Sequence, residues 1–282
     1  MAKIFDPDRF ASIAARHRHV MGQGSRERKM IFAGVGLCLV LLIFGLIEAE
    51  FSPIRIYHGL GKLGDFVTLM FPPEPGPLFA TYLHALGETL SIALLGTLIS
   101  AVLAFPFAVL AARNILPIWV TRFFLRRTFD TIRGIDTLIW ALIWISVVGL
   151  GPFAGVLAVA TADFGAFGKL FSETIETADQ KPVEGIRSTG GTAAQEFRFG
   201  ILPQVLPVIA GQILYFFESN TRSATIIGIV GAGGIGLHLS EQIRTLEWQR
   251  VAFLVIMVLI VVAVIDVISS RLRAAISGAK PV

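Results

Sequence analysis

The chain has 282 residues, of which 54% are hydrophobic and only 16% charged, with a mean hydropathy of +0.73. Soluble domains carry about 25% charged residues, so an ordinary water-facing enzyme or binding domain is excluded. The formal net charge of +4 and a pI near 9.5 would suit nucleic acid, but the basic residues fall into four blocks between apolar runs, a pattern suited to anionic lipid.

In chain order, residues 1–29 form a polar, basic cytoplasmic segment in which Phe5, Phe10 and Ile13 give an amphipathic surface stripe. The first uncharged apolar run covers 30–47. It starts late and lacks a small-residue cleavage site, which marks a retained span rather than a signal peptide. Cys38 inside it is a small apolar filler, since one thiol makes neither an intrachain disulfide nor a metal site. Segment 48–83 reads as an external loop, and its Pro72-Pro73-Glu74-Pro75-Gly76-Pro77 run as extended chain.

Further runs without Asp, Glu, Lys or Arg cover 89–112, 137–162, 201–217 and 251–265. A spanning helix needs roughly 17–25 mostly apolar residues to cross about 30 Å of hydrocarbon. Nineteen of the 24 basic residues lie in 1–30, 113–134, 169–203 and the tail from Arg271, and cytoplasmic loops are enriched in Lys and Arg. Placing all four blocks inside requires that 137–162 be split at Gly149-Leu150-Gly151-Pro152, a credible turn. The expectation is an all-α membrane protein with about six transmembrane helices, near 30–47, 84–112, 132–149, 152–170, 203–226 and 250–270, and both termini in the cytoplasm. The fourth is the weakest, because Asp163 and Lys169 interrupt it, which leaves five spans and a re-entrant segment as the alternative.

Between the fourth and fifth spans the chain reads VEGIRSTGGTAAQEFRFGILPQVLP. A short helix from about Pro182, a break at Gly190-Gly191 and a second helix from near Thr192 would make a helical knob on the cytoplasmic face. Pro203 then falls in the first turn of the next span, where its missing N–H costs little.

The knob resembles the loop motif of ABC importer permeases: Glu184, a glycine six residues on at Gly190, and Leu202-Pro203 eighteen and nineteen on. The resemblance implies that Glu184, Gly190 and Pro203 belong to a coupling loop (180–203) that docks on a separate ATPase. Gly185-Ile186 stand where Ala-Ala is usual, and Gly200 replaces an aliphatic. ETLSIALLGTLISAVLAFPFAVLAARN, LIWALIWISVVGLGPFAGVLAVA, the glycine-containing segment 165–171 and FESNTRSATIIGIVGAGGIG are similar to the phosphonate branch of that family, over roughly 84–273. A proline usual before LIWA is replaced by Gly134-Ile135-Asp136.

The resemblance implies a type I ABC importer permease fold. Its parts are a first span with its external loop (30–83), a core permease domain (84–273) and a cytoplasmic tail (274–282). It further implies an inner-membrane homodimer on two ABC ATPase subunits, fed with phosphonate by a periplasmic or lipid-anchored binding protein, with ATP and Mg on the ATPase. Phosphite, phosphate or another small solute is the nearest alternative. An ATP-independent channel or secondary carrier is the alternative of another class, but the matched broken helices it would favour are not evident. A membrane-embedded enzyme would need clustered His, Asp or Cys at span ends.

Glu218, Asn220 and Arg222 sit toward the external end of the fifth span. Charges at membrane depth usually face water or protein, so these are candidate pathway residues, with Arg222 offering a planar fork of donors to an oxyanion. A structural ion pair or snorkelling arginine is the competing reading. Gly231, Gly233, Gly234 and Gly236 include G-x-G-x-x-G, but a dinucleotide fingerprint needs a strand–turn–helix unit, so a tight external turn, a gate or small-residue helix packing fits better. Asp163 and Asp266 are pathway or packing candidates. His17, His19, His58, His84 and His238 are scattered, so no metal site is expected. Gly61-Lys62 and Gly168-Lys169 are followed by leucine, so there is no phosphate-binding loop and the chain is not expected to hydrolyse ATP itself.

Overall fold

A computed structural model describes residues 26–277, and the stripe around Phe5, Phe10 and Ile13 lies outside them. The described residues form helices and connecting turns and contain no strand. The chain divides at Phe66-Val67 into two compact units.

In the first unit, α1 (Arg26–Glu48) is apolar around its whole circumference from Met30 to Ile47, as a helix with lipid for solvent must be. Its 23 residues rise about 35 Å, enough to cross. The loop expected after it is not irregular throughout. Residues Pro53–Leu69 form α2, an amphipathic helix with Ile56, Leu60, Leu63 and Val67 at helical spacing. Only the proline run after it stays extended, and even there Gly76–Leu78 makes a 3-10 turn into the next helix.

The second unit is a bundle around one central helix. The elements are α3 (Phe79–Ala111), α4 (Trp119–Arg133), α5 (Thr137–Val148), α6 (Pro152–Glu176), α7 (Gln180–Ser188), α8 (Ala193–Gln195), α9 (Leu202–Ile229), α10 (Ile235–Arg244) and α11 (Trp248–Ser277). A π-helical turn, Glu196–Ile201, joins α8 to α9, so the helical run is continuous where a separate start at Pro203 was expected.

Helix α6 is the core, with α3, α4, α5 and α9 packed around it. Its buried positions are mostly Ala and Gly, which lets neighbouring backbones approach closely in the absence of a hydrophobic driving force between helices. A Cβ on Gly165 would come within 2.7 Å of the Phe129 carbonyl, and one on Gly96 within 2.7 Å of Val159. Gly168 leaves the space that the ring of Phe129 fills.

The expected weakness of the fourth span moves to the third. Helix α6 runs unbroken for 25 residues, and the two charged residues that interrupt its apolar run have partners, Asp163 in Asn220 and Lys169 in Asp130 at 2.8 Å. Helix α5 has only 12 residues, about 18 Å, too short to cross alone. It follows α4 through a bend of 87° at Gly134-Ile135-Asp136. There Asp136 Oδ1 accepts from the Leu138 amide (2.8 Å) and caps α5. The sequence therefore has five helices long and apolar enough to span among the described residues, or six with the α4–α5 pair counted as one broken span.

Candidate functional site

Two regions bear on function, one at the basic end of the bundle and one at mid-depth. At the basic end, Asp179 caps α7, its Oδ1 accepting from Lys181 N at 3.1 Å. Gly190 follows with φ +82°, a conformation glycine adopts without a Cβ penalty, and reverses the chain. A capping box between Thr192 and Gln195 then starts α8.

Val183 is buried against Ile201 and Val205, so the knob is seated on the bundle by one apolar face. The departures from the family pattern compensate one another. A Cβ on Gly200 would lie 3.1 Å from Val183 and 3.3 Å from the Ile186 side chain, so a larger residue would push α7 away. Ile186 fills the space that Gly200 leaves. On the other face Glu184 and Gly185 are exposed. Arg187 holds Glu196 with a two-pronged fork of 2.9 and 2.8 Å, which raises the pKa of the guanidinium. Pro203 is exposed at the foot of α9.

The knob's attachment has a feature that sequence reasoning missed. Glu176, the last residue of α6, takes the Arg113 backbone N–H at 2.7 Å, Arg113 Nε at 3.2 Å and Arg126 Nη2 at 2.6 Å. Asn114 adds a bond from its side-chain amide to the Ile175 carbonyl, 2.8 Å. One carboxylate thus ties the loop after α3, helix α4 and the end of helix α6 together, four residues before α7 begins.

At mid-depth, Glu218, Asn220 and Arg222 do not form one cluster. Successive helical residues turn by about 100°, so Asn220 points away from the other two. It is buried on the α3–α6 side, where its amide donates to Asp163 Oδ2 and to Thr97 Oγ1 (2.8 Å). The Asn220 side chain therefore bonds within one subunit, apart from Glu218 and Arg222. Asp163 is buried with it, whereas Asp266 is exposed on α11. Because Asp163 and Thr97 lie near the middle of α6 and α3, this level is the middle of the bundle, not its external end.

Glu218 faces α11 and has two cationic partners. Arg273 Nη1 donates to its Oε2 at 3.0 Å, and Arg222 Nη1 to its Oε1 at 3.4 Å. Arg273, expected as a cytoplasmic tail charge, instead reaches into the bundle and also bonds Ser269 Oγ at 2.8 Å. The Arg222 side chain is 49% exposed against 10% for Glu218.

The glycine cluster forms a tight turn from α9 into α10. Gly231 and Gly233 pack on Leu150 and Pro152, and Gly236 against Gly228. The Glu88 carboxylate accepts from Gly234 N (3.2 Å) and Thr89 Oγ1 from Ile235 N (2.8 Å), capping α10 from α3. Neither partner was apparent from the sequence. A helix, not a strand, precedes the turn, which removes the dinucleotide geometry. Outside it lies a cavity of about 620 Å³ lined by Leu150, Gly231, Leu237, Glu241 and Arg244.

Comparison with known proteins matches the knob and bundle together. Residues 104–278 match the family described as binding-protein-dependent transport system inner membrane component. HtxC of Stutzerimonas stutzeri, provisionally named a phosphite transport system permease protein, is 39% identical over 248 residues, covering 88% of this chain and 87% of that one. PhnE2 of Escherichia coli K12, provisionally named a cryptic phosphonate transport system permease protein, is 45% identical over 118 residues, 42% of this chain and 97% of that one. In fold, the chain is similar to the MetNI methionine ABC transporter in an inward-facing conformation, with a TM-score of 0.63 at 18% identity over 72% of this chain and 99% of that one. With the family match covering most of the bundle and its knob, this chain belongs to the binding-protein-dependent inner membrane components, the permease subunits of ABC importers.

Proposed function

We propose that two copies of this chain, seated on two ATPase subunits, form the pathway by which a phosphonate- or phosphite-class oxyanion delivered by a binding protein enters the cell. The observation that carries the reading is the knob at 180–203, an independently capped helical unit seated on the bundle by Val183 and presenting Glu184 outward. The substrate class rests on similarity to relatives named for phosphite and phosphonate transport. Tetrahedral phosphorus oxyanions suit the planar donor fork of Arg222. Closure of the ATPases would press on both knobs and move the bundles above them, and the glycine turn from Gly231 to Gly236 would serve as the external closure.

The test is ATPase activity of the chain in nanodiscs with its ATPase partner, titrated with binding protein loaded with phosphonate or phosphite. Stimulation that disappears in Glu184→Arg supports the coupling role. Solute movement through this chain alone, with no ATPase bound, would make it a channel or carrier and overturn the reading.

A further inference from the structure

Two arginines meet one carboxylate at mid-depth, and they hold it unequally. Glu218 is nearly enclosed between α9 and α11 and is held most tightly by Arg273, whose Nη1 bridges Glu218 Oε2 (3.0 Å) and Ser269 Oγ (2.8 Å). Ser269 is itself fixed by donating to the Leu214 carbonyl at 3.2 Å. The Arg222–Glu218 contact is longer, 3.4 Å, at the weak end of hydrogen-bond range.

Arg222 is the more exposed of the two, 49% against 29% for Arg273. A cation facing hydrocarbon is costly, so its exposed side must meet water, an anion or another protein group. The composition of that face agrees. Tyr215, Ser219, Arg222 and Ile226 follow at helical spacing, and Gly211 below them has nothing within 4 Å of its Cβ position. Three of these five carry polar groups, which suits a wetted pathway better than lipid.

We propose that Arg273 neutralises Glu218 and thereby frees Arg222 to receive the oxyanion at mid-membrane. Arg222 is the anion-contacting residue, Arg273 is a positioning residue that never touches substrate, and Glu218 fixes where the guanidinium of Arg222 rests between transport events. The inference rests on the oxyanion-importer reading and deepens it. It also separates the two arginines, which the sequence alone places 51 residues apart with no evident connection.

The test is uptake of radiolabelled phosphite and methylphosphonate into proteoliposomes holding the full importer, with co-purification of the ATPase as the assembly control. Arg222→Gln should reduce uptake at least about tenfold, the scale of one lost charge-assisted contact. Arg273→Gln should also reduce it, because Glu218 then claims Arg222. The double variant Arg273→Gln, Glu218→Gln should recover most of that loss, because both buried charges have gone and Arg222 is free again. No recovery in an assembled double variant overturns the proposal, as does unchanged uptake in Arg222→Gln, whose half-exposed side chain can be replaced without disturbing the bundle. Wild-type vesicles that move neither anion would overturn the substrate reading itself, and this role for Arg222 with it.

Discussion

Glu176 and Glu218 are both carboxylates bracketed by two arginines, yet the two sites are built to opposite ends. At Glu176 a backbone N–H and two guanidinium groups converge on one carboxylate, from the loop after α3 and from α4, at 2.6–3.2 Å. At Glu218 both donors are guanidinium groups, one from the same helix and one from α11, and one contact is long. The first arrangement holds helix ends in place. The second holds one guanidinium closely and the other loosely. Counting ion pairs would make the two sites equivalent, and the backbone donor at Glu176 and the uneven contacts at Glu218 distinguish them.

The largest expected effect of breaking this contrast is at Glu176. Glu176→Ala leaves the Arg113 amide and the Arg126 guanidinium without their acceptor at the root of the knob. Removing one partner of a buried pair costs 3–5 kcal/mol, and the exposure of Arg113 reduces this to about 2 kcal/mol. Thermal unfolding in detergent should fall by several degrees, and no second substitution at Arg126 should restore it, because the backbone donor remains. A rescue by Arg126→Gln would show that the site behaves like Glu218 and would dissolve the comparison.

A third carboxylate sharpens the contrast. Asp163 has no arginine and is held by Asn220 within the bundle. Asp163→Ala should cost about 1–3 kcal/mol, the penalty for leaving a buried amide without its acceptor. Uptake per folded importer should stay near wild type. A selective loss of uptake, with stability unchanged, would return Asp163 and Asn220 to the pathway.

These assignments also mark what the sequence can and cannot convey. The knob was legible because its signals are local: a glycine where the chain reverses, and Thr192 and Gln195 three residues apart at a helix start. The broken third span left a local signal as well, since Asp136 before an apolar run is a capping residue, but continuous hydropathy masked it. Helix α2 was missed because its apolar positions recur every three or four residues without ever forming a long apolar run. Asn220 parts from Glu218 and Arg222 because adjacency along the chain is not adjacency in space. Arg273 and Glu176 were out of reach for a different reason. Their partners lie 55, 50 and 63 residues away, and as single residues they looked like ordinary charges at span ends.

A smaller effect is expected where the knob departs from the family pattern. Gly200→Leu restores the usual aliphatic but drives its side chain into Val183 and Ile186. The seat of α7 should shift, and binding-protein-stimulated ATPase activity should fall a few-fold while the bundle's unfolding temperature barely moves. Adding Ile186→Ala should recover most of the loss, since the two positions share one volume. Failure to recover would mean that the backbone of the π-helical turn, and not side-chain volume, sets the knob's height.

The smallest effect belongs to the Arg187–Glu196 fork, which is well formed in geometry but open to water. Solvent-exposed ion pairs contribute little to stability and are screened by salt. Arg187→Gln should therefore leave unfolding unchanged. What the fork does control is the angle between α7 and the start of the π-helical turn, and so where Glu184 points. Stimulated ATPase activity in Arg187→Gln should drop modestly at low ionic strength, and the wild type should converge on the variant as salt rises. A loss as deep as that of Glu184→Arg, persisting in high salt, would mean that Arg187 contacts the ATPase itself instead of shaping the surface that does.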